Sequence, residues 1–187
     1  GLASFDVRHA FTTSWTYELP FGRGRASLSN RSGIVVKLAE GWGINGISFV
    51  RSGLPFTVTQ QQGLLSTSTG NRPDRIGSGK ISNPTPDRWF DPSQFVPTRD
   101  NTGTYGNSGR NILRGPGQLQ FDLSVVKNTR FRERFRHQFR WEIFNALNHP
   151  QFGQPGTSIG TANAGVITSL LFNTPMRQMQ FAMKLQF

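Results

Sequence analysis

The stretch "MRQMQFAMKLQF", residues 176–187, decides the fold class because apolar and polar residues alternate along it. A period of two is typical of a β-strand whose two faces meet different surroundings. Neither Gly nor Pro interrupts the run after Arg177, so it reaches the roughly 9–11 residues that a tilted strand needs to cross a bilayer. An edge strand of a soluble sandwich would alternate in the same way, and this segment alone leaves both interpretations open. From residue 179 onward its odd-numbered members are Met179, Phe181, Met183, Leu185 and Phe187.

Composition limits the protein classes that remain. The 187 residues suffice for one ordinary domain or two small ones. With 21 Gly, 11 Pro and 16 Phe, the chain is typical of a turn-rich β protein with aromatic anchors. No stretch approaches the roughly 18 apolar residues of a membrane-spanning helix, which excludes such a helix but not a transmembrane barrel. The absence of cysteine excludes disulfides, thiolate nucleophiles and cysteine-ligated metals.

The net charge of +11 favours a polyanionic partner such as nucleic acid or the phosphates of lipopolysaccharide. The densest basic cluster is "KNTRFRERFRHQFR", residues 127–140, where arginines alternate with phenylalanines. Such a segment could bind RNA by stacking and phosphate contacts, but the alternation also produces a strand with one charged face. We expect the strand, and no nucleic-acid partner.

Alternation along the whole chain, this stretch included, predicts five strands, joined as an antiparallel meander. Gly43, Gly46 and Gly53 in the second strand indicate kinks or close approach. The segment "SGIVVKLAE", residues 32–40, fits a short helix or a strand equally well. The predicted strands lie near residues 5–20, 42–59, 118–127, 134–146 and 177–187, with a long loop over 60–117.

Short and long connections alternate along the chain, as the inner turns and outer loops of a membrane meander do. Five strands cannot close a barrel, because the smallest barrels need about eight and open edges are not tolerated in lipid. The chain also starts at Gly1 without Met or a leader segment. Both features predict that the chain lacks N-terminal parts of a longer protein.

Seven segments occur in an order that resembles the C-terminal part of TonB-dependent, Oar-like outer-membrane receptors of the carboxypeptidase-regulatory-like-domain type. They are "DVRHAFTTSWTYELPFGRG", "GWGINGISFVRSGLPFTV", "RWFDPSQF", "GNSGRNILRGPG", "QFDLSVVKNTRF", "FRWEIFNALNHPQFG" and "RQMQFAMKLQF". The resemblance implies an all-β barrel of about 22 strands around a plug, with this chain as its C-terminal portion. The chain contains no TonB box, plug or regulatory-like domain, so the residues that couple energy cannot be located in it.

The resemblance also implies a role for the last strand. It would close the barrel against the first strand, and Phe187 would be the terminal aromatic that the barrel-assembly machinery recognises. The apolar phase of the strands would face lipid and the polar phase the lumen. Predicted lipid-facing residues are Trp15, Tyr17, Phe121, Leu123, Phe139, Trp141, Phe181, Met183 and Leu185. Predicted lumen-facing residues are Arg8, Glu18, Gln120, Asp122, Arg140, Glu142, Gln180 and Lys184.

The long loop carries the candidate ligand-binding residues, since aromatic and arginine side chains on an outer loop can meet a ligand. The alternative is a loop that packs on itself. The candidates are Arg88, Trp89, Phe90, Arg110 and Arg114.

No enzyme chemistry, metal or cofactor is expected. His9, His137 and His149 lack carboxylates at metal-ligand spacing. Asp122 and Glu142 share the lumen phase with Arg140 and Lys184, which predicts a charge network and not an acid–base pair. No nucleophile elbow or Ser-His-Asp order is present.

Three functions remain open from the sequence. The first is an outer-membrane TonB-dependent barrel that takes up a bulky nutrient, with the membrane lipid, the assembly machinery and the TonB system as partners. The second is a non-transporting surface or adhesion barrel of the same build. The third is a soluble basic β-sandwich that binds nucleic acid or polysaccharide; its predicted core residues would be Trp15, Phe121, Trp141 and Phe181.

Overall fold

The computed structural model describes residues 1–22, 25–28, 33–61, 71–98, 106–131, 135–172, 174 and 176–187. Parts of three predicted features therefore lie outside the described residues, namely 23–24 in the first turn, 132–134 in the second, and 62–70 and 99–105 in the long loop. Contacts divide the chain into a sheet unit (residues 11–50, 119–149 and 175–187) and a loop unit (residues 1–10, 51–118 and 150–174).

The strands differ greatly in length, and the five long ones form one sheet. In chain order the strands are β1 (Ala10–Glu18), β2 (Trp42–Arg51), β3 (Pro55–Phe56), β4 (Thr59–Gln60), β5 (Asp74–Arg75), β6 (Phe95–Val96), β7 (Leu113–Arg114), β8 (Gln118–Arg130), β9 (Arg136–Phe144), β10 (Ser158–Ile159) and β11 (Gln178–Gln186). The sheet has the order β1-β2-β8-β9-β11 and is open. Its long strands neighbour each other in the order in which the chain forms them, as in a meander. This confirms the predicted fold class of an all-β antiparallel meander.

The register fixes which residues share a face. Trp141 of β9 lies opposite Val125 of β8 and Phe181 of β11. One residue along, Glu142 lies opposite Ser124 and Gln180. Because successive side chains of a strand point to opposite faces, these two rows belong to the two faces of the sheet.

The first two strands are shorter than the alternation predicted. The predicted strand over 42–59 leaves the sheet at Arg51, because Gly53 and Pro55 redirect the chain and Pro55 pairs with Arg114 in a separate ladder. Gly53 is required there, since a Cβ atom at this position would collide with the Gly115 carbonyl oxygen. The predicted strand over 5–20 begins only at Ala10. The third predicted strand, in contrast, continues beyond residue 127 to Arg130.

The ambiguous segment over 32–40 contains a helix, α1 (Ile34–Ala39). Lys127 of β8 stabilises its C-terminal end by donating hydrogen bonds from Nζ to the carbonyls of Lys37, Leu38 and Glu40 at 3.0, 2.8 and 2.6 Å. A cation at this end also interacts favourably with the helix dipole. Within the described ranges, no helix is long and apolar enough to cross a bilayer.

The loop unit has a hydrophobic core of its own. Six buried residues form it, with Trp89, Ile112 and Ala164 packed around them. The rings of Phe56 and Phe95 lie 5.7 and 5.9 Å from the ring of Phe90, measured between centroids. The segment predicted as a long loop is therefore packed on itself. The buried core residues are Phe56, Val58, Phe90, Phe95, Leu113 and Ile159.

Short strand pairs brace this core. Two-stranded ladders join β3 to β7, β4 to β10 and β5 to β6. A 3-10 turn (Pro92–Gln94) begins at Asp91, whose side chain accepts a hydrogen bond from the Ser93 N–H. Both ladder partners of each pair come from the loop unit, so the ladders hold this unit together internally.

Candidate functional site

One face of the sheet is apolar and exposed. Phe181 is 65% exposed and Met183 is 72% exposed, although both are large apolar side chains. The ring of Phe181 stacks on that of Trp141, with centroids 5.9 Å apart, and lies 6.2 Å from the ring of Phe139. A soluble protein rarely leaves a continuous apolar surface of this kind uncovered.

Trp15 lies on the same apolar face. Its indole ring covers Gly46 of β2, where a Cβ atom would come within 2.5 Å of the ring. The neighbouring residue, Asn45, donates a hydrogen bond to Ser124 Oγ at 3.1 Å on the polar face. Gly46 therefore faces the apolar side together with Trp15. The predicted close approach at Gly46 is this contact.

The opposite face is lined by hydrogen-bonded polar side chains. Arg140 lies 3.3 Å from Glu142 and donates to Gln138 Oε1 at 3.2 Å. Asp122 accepts hydrogen bonds from Gln120 Nε2 at 3.0 Å and from the Asn145 N–H at 2.9 Å. Such a network satisfies polar groups on a surface that meets water.

The network differs in detail from the predicted one. Lys184 was expected to neutralise Asp122 or Glu142, but it lies opposite Gln138 in the register. Asp122 is instead satisfied by amide donors. Glu18, at the end of β1, pairs with Arg25 at 2.6 Å, and both side chains are exposed. Such exposed pairs contribute about 0–1 kcal/mol.

The structure separates the predicted facing residues into two groups. Along β8, β9 and β11, the predicted lipid-facing residues fall on the apolar face and the predicted lumen-facing residues fall on the polar face. Arg8 is the exception, because it precedes β1 and belongs to the loop unit. Phe187 follows β11 and is 95% exposed.

The five candidate ligand-binding residues lie in the loop unit with different exposure. Phe90 is 1% exposed and belongs to the hydrophobic core of the unit. Arg88 is exposed and lies 3.3 Å from Asp91, and Arg110 is exposed. Trp89 is partly buried, and its indole N–H donates to the Arg114 carbonyl at 2.8 Å.

Arg114 is held firmly by its own partners. Its guanidinium pairs with the Asp6 carboxylate and donates to the carbonyls of Asp6 and Gly53 at 3.1 and 3.0 Å. This side chain ties the N-terminal segment to the rest of the loop unit. Its charge is therefore largely satisfied within the protein.

A cavity of about 250 Å³ opens beside Trp89 and Arg114. Its lining also includes Arg8, Lys80 and Asn111, which sequence patterns did not identify as binding residues. No periodic signal could have found them, because contacts between distant parts of the chain bring them together. The cavity is the concave candidate site of the loop unit.

No metal site is evident in the parts of the chain that the structure describes, where no three His, Asp or Glu side chains are placed to hold an ion. Asp91, the cap of the 3-10 turn, is the titratable group with the clearest electrostatic setting. A hydrogen bond from the Ser93 hydroxyl and the nearby Arg88 guanidinium lower the pKa of Asp91, although partial desolvation opposes them.

A sheet that exposes an apolar, aromatic face on one side and a hydrogen-bonded polar face on the other is typical of the wall of a transmembrane β-barrel. The family comparison agrees, since the model for the outer membrane beta barrel domain matches residues 1–180. The chain belongs to the outer membrane beta barrel domain family, which locates it in the bacterial outer membrane. Membership of this family excludes the soluble β-sandwich that the sequence had left open as a third function. Comparisons with curated proteins and with solved structures gave no match.

Proposed function

We propose that this chain is part of an outer-membrane receptor barrel that imports a bulky nutrient with energy from the TonB system. The barrel family provides the membrane setting, and the resemblance of seven ordered segments to Oar-like receptors supports the finer assignment. The chain itself is proposed to be neither an enzyme nor a nucleic-acid-binding protein.

The observation that carries the proposal is the folded loop unit. Both long connections of the meander, residues 51–118 and 150–174, contribute to one unit with its own core and with the cavity beside Trp89. A loop that only joins two strands needs no core. A loop that recognises a ligand benefits from one, because rigid support positions its side chains before binding.

The partners follow from the same assignment. The apolar face of the sheet contacts lipid, the exposed Phe187 is a recognition element for the barrel-assembly machinery, and the TonB system acts through parts of the protein other than this chain. These three partners are part of the proposal. The alternative is a non-transporting surface barrel that would use the same loop unit to bind another surface. The experiment must distinguish this adhesion function from transport.

Solute depletion in culture tests transport even while the nutrient is unidentified. The parent bacterium, a strain lacking this gene and a strain lacking TonB grow in the same complex medium, and mass spectrometry measures the solutes that remain. We expect at least one large solute to be removed by the parent and left by both mutants. Complementation with the wild-type gene should restore its removal.

Two results would contradict the proposal. If the deletion strain removes every solute as quickly as the parent, the barrel does not import a nutrient from this medium. If that strain also adheres more weakly to surfaces, the adhesion function is supported in place of transport. If a solute is left by the deletion strain but removed without TonB, import does not depend on that system.

A further inference from the structure

The charges that line the cavity of the loop unit are not balanced. Its charged lining residues are Arg8, Lys80 and Arg114, with no carboxylate among the described lining residues. Arg114 is satisfied by Asp6 and by the Gly53 carbonyl. The side chains of Arg8 and Lys80 make no ion pair or hydrogen bond with any residue that the structure describes. Two cations at one cavity therefore remain available to an anion.

The rest of the wall is mostly apolar, and two of its side chains are held in place by hydrogen bonds. Trp89 is oriented by its hydrogen bond to the Arg114 carbonyl, and Ile81 and Ile112 are partly buried beside the cavity. Asn111, with a left-handed φ of 56°, is fixed by the Thr57 hydroxyl and by the Leu2 carbonyl. A wall fixed in this way loses little conformational entropy when a ligand binds.

We infer that this cavity binds the end of a ligand in which a carboxylate or phosphate lies next to a flat apolar group. The anion pairs with Arg8 and Lys80 through charge-assisted hydrogen bonds, and the apolar group packs against Trp89, Ile81 and Ile112. A volume of about 250 Å³ is below the range of about 300–1,000 Å³ that is usual for whole-ligand pockets. The cavity thus accommodates one end of a bulky nutrient. This inference rests on the proposed import function and narrows its substrate class.

Three aromatic probes test the inference on the intact protein in lipid nanodiscs. Benzoate and phenyl phosphate carry the two candidate anions, and benzamide is their neutral counterpart. Ligand-observed NMR titration measures the dissociation constant of each probe. We expect both anions to bind more tightly than benzamide, and the tighter of the two anions identifies the preferred group.

A charge-removing pair of substitutions gives the sharper result. Arg8→Gln with Lys80→Gln should weaken binding of the anions about tenfold or more and leave benzamide binding unchanged. Arg75→Gln is the matched control, because Arg75 is an exposed cation of the same unit that does not line the cavity. It should leave all three dissociation constants unchanged.

The inference is overturned if benzamide binds as tightly as the anions or if the double variant retains anion binding. An equal loss in Arg75→Gln would also overturn it, because the effect would then reflect net charge. The import function fails separately. If a solute is depleted in a TonB-dependent way but the probes show no anion preference, only the cavity assignment is wrong. If the anions bind but no solute is depleted, only the transport proposal is wrong.

Discussion

Phe181 of β11 lies directly opposite Trp141 of β9, and their rings stack at a centroid distance of 5.9 Å with only 13° between their planes. Cross-strand aromatic pairs of this kind stabilise a sheet by about 0.2–1 kcal/mol. The pair belongs to the exposed apolar face of the sheet. The free-energy cost of a charge introduced at this pair therefore depends on its depth in the membrane.

Phe181→Arg should cost about 2–4 kcal/mol if the residue lies near the bilayer midplane, because a charge must then enter hydrocarbon. The measurement is the free energy of unfolding of the intact protein from liposomes. Gln180→Arg is the matched control, since the same side chain is introduced one residue away on the polar face. A smaller cost for Phe181→Arg than for Gln180→Arg would mean that the two faces are assigned the wrong way round.

Gly46→Ala should destabilise the sheet by about 1–3 kcal/mol, because the new methyl group collides with the Trp15 ring and forces it aside. Gly43→Ala in the same strand provides the comparison, as the nearest atom to its Cβ is the Tyr17 carbonyl oxygen at 3.7 Å. That variant should be neutral or slightly more stable. Thermal unfolding of the two variants measures the difference, and equal midpoints would disprove the contact.

Phe90→Ala should unfold much of the loop unit while the barrel remains assembled. Phe90 is 1% exposed at the centre of the unit's core, and removal of such a ring costs about 3–5 kcal/mol. Limited proteolysis of intact cells measures the effect, with faster cleavage expected within residues 71–98. Phe5→Ala removes an 80% exposed ring of the same unit and should not change the cleavage rate. Equal cleavage rates in the two variants would show that Phe90 does not hold the unit together.

Acid should loosen the turn that begins at Asp91. Interactions with Ser93 and Arg88 lower the pKa of this carboxyl in the folded protein, so its ionised form contributes stability above its unfolded pKa. That contribution is lost as the pH falls below about 4, toward the folded pKa. Relative to the intrinsic exchange rate at each pH, hydrogen exchange of the Ser93 and Gln94 amides should accelerate in this range. In Asp91→Asn the acceleration should be absent. If the acceleration persists in this variant, a titratable group other than Asp91 causes it.

The sequence predicted the sheet well because each strand carries its own alternation. In β11 every second residue is apolar, and the register places those residues beside Trp141 and Phe139 of β9. Strand ends were harder to predict. Alternation continues past Arg51, but Gly53 and Pro55 turn the chain into the loop unit, where Pro55 pairs with a residue 59 positions later.

The sequence left a self-packed loop open as an alternative, but the residues of its core could not be predicted because the core depends on contacts between distant residues. Phe56 packs near Phe90 and belongs to the same core as Ile159, and no local period connects these three positions. The cavity has the same origin, since Arg8 and Lys80 are brought together only by the fold. Helix α1 was ambiguous for a related reason, because Lys127, which stabilises its end, lies on another element.

The measurement that tests the membrane assignment most directly is a spin-label scan of β11 in the intact protein, reconstituted in liposomes. The chain contains no cysteine, so single cysteines can be placed in turn from Gln178 to Gln186 without removal of others in this segment. Labels at odd-numbered positions should be accessible to oxygen dissolved in lipid, and labels at even-numbered positions should be accessible to a water-soluble nickel complex. Equal accessibility at adjacent positions, or the opposite alternation, would contradict the membrane assignment.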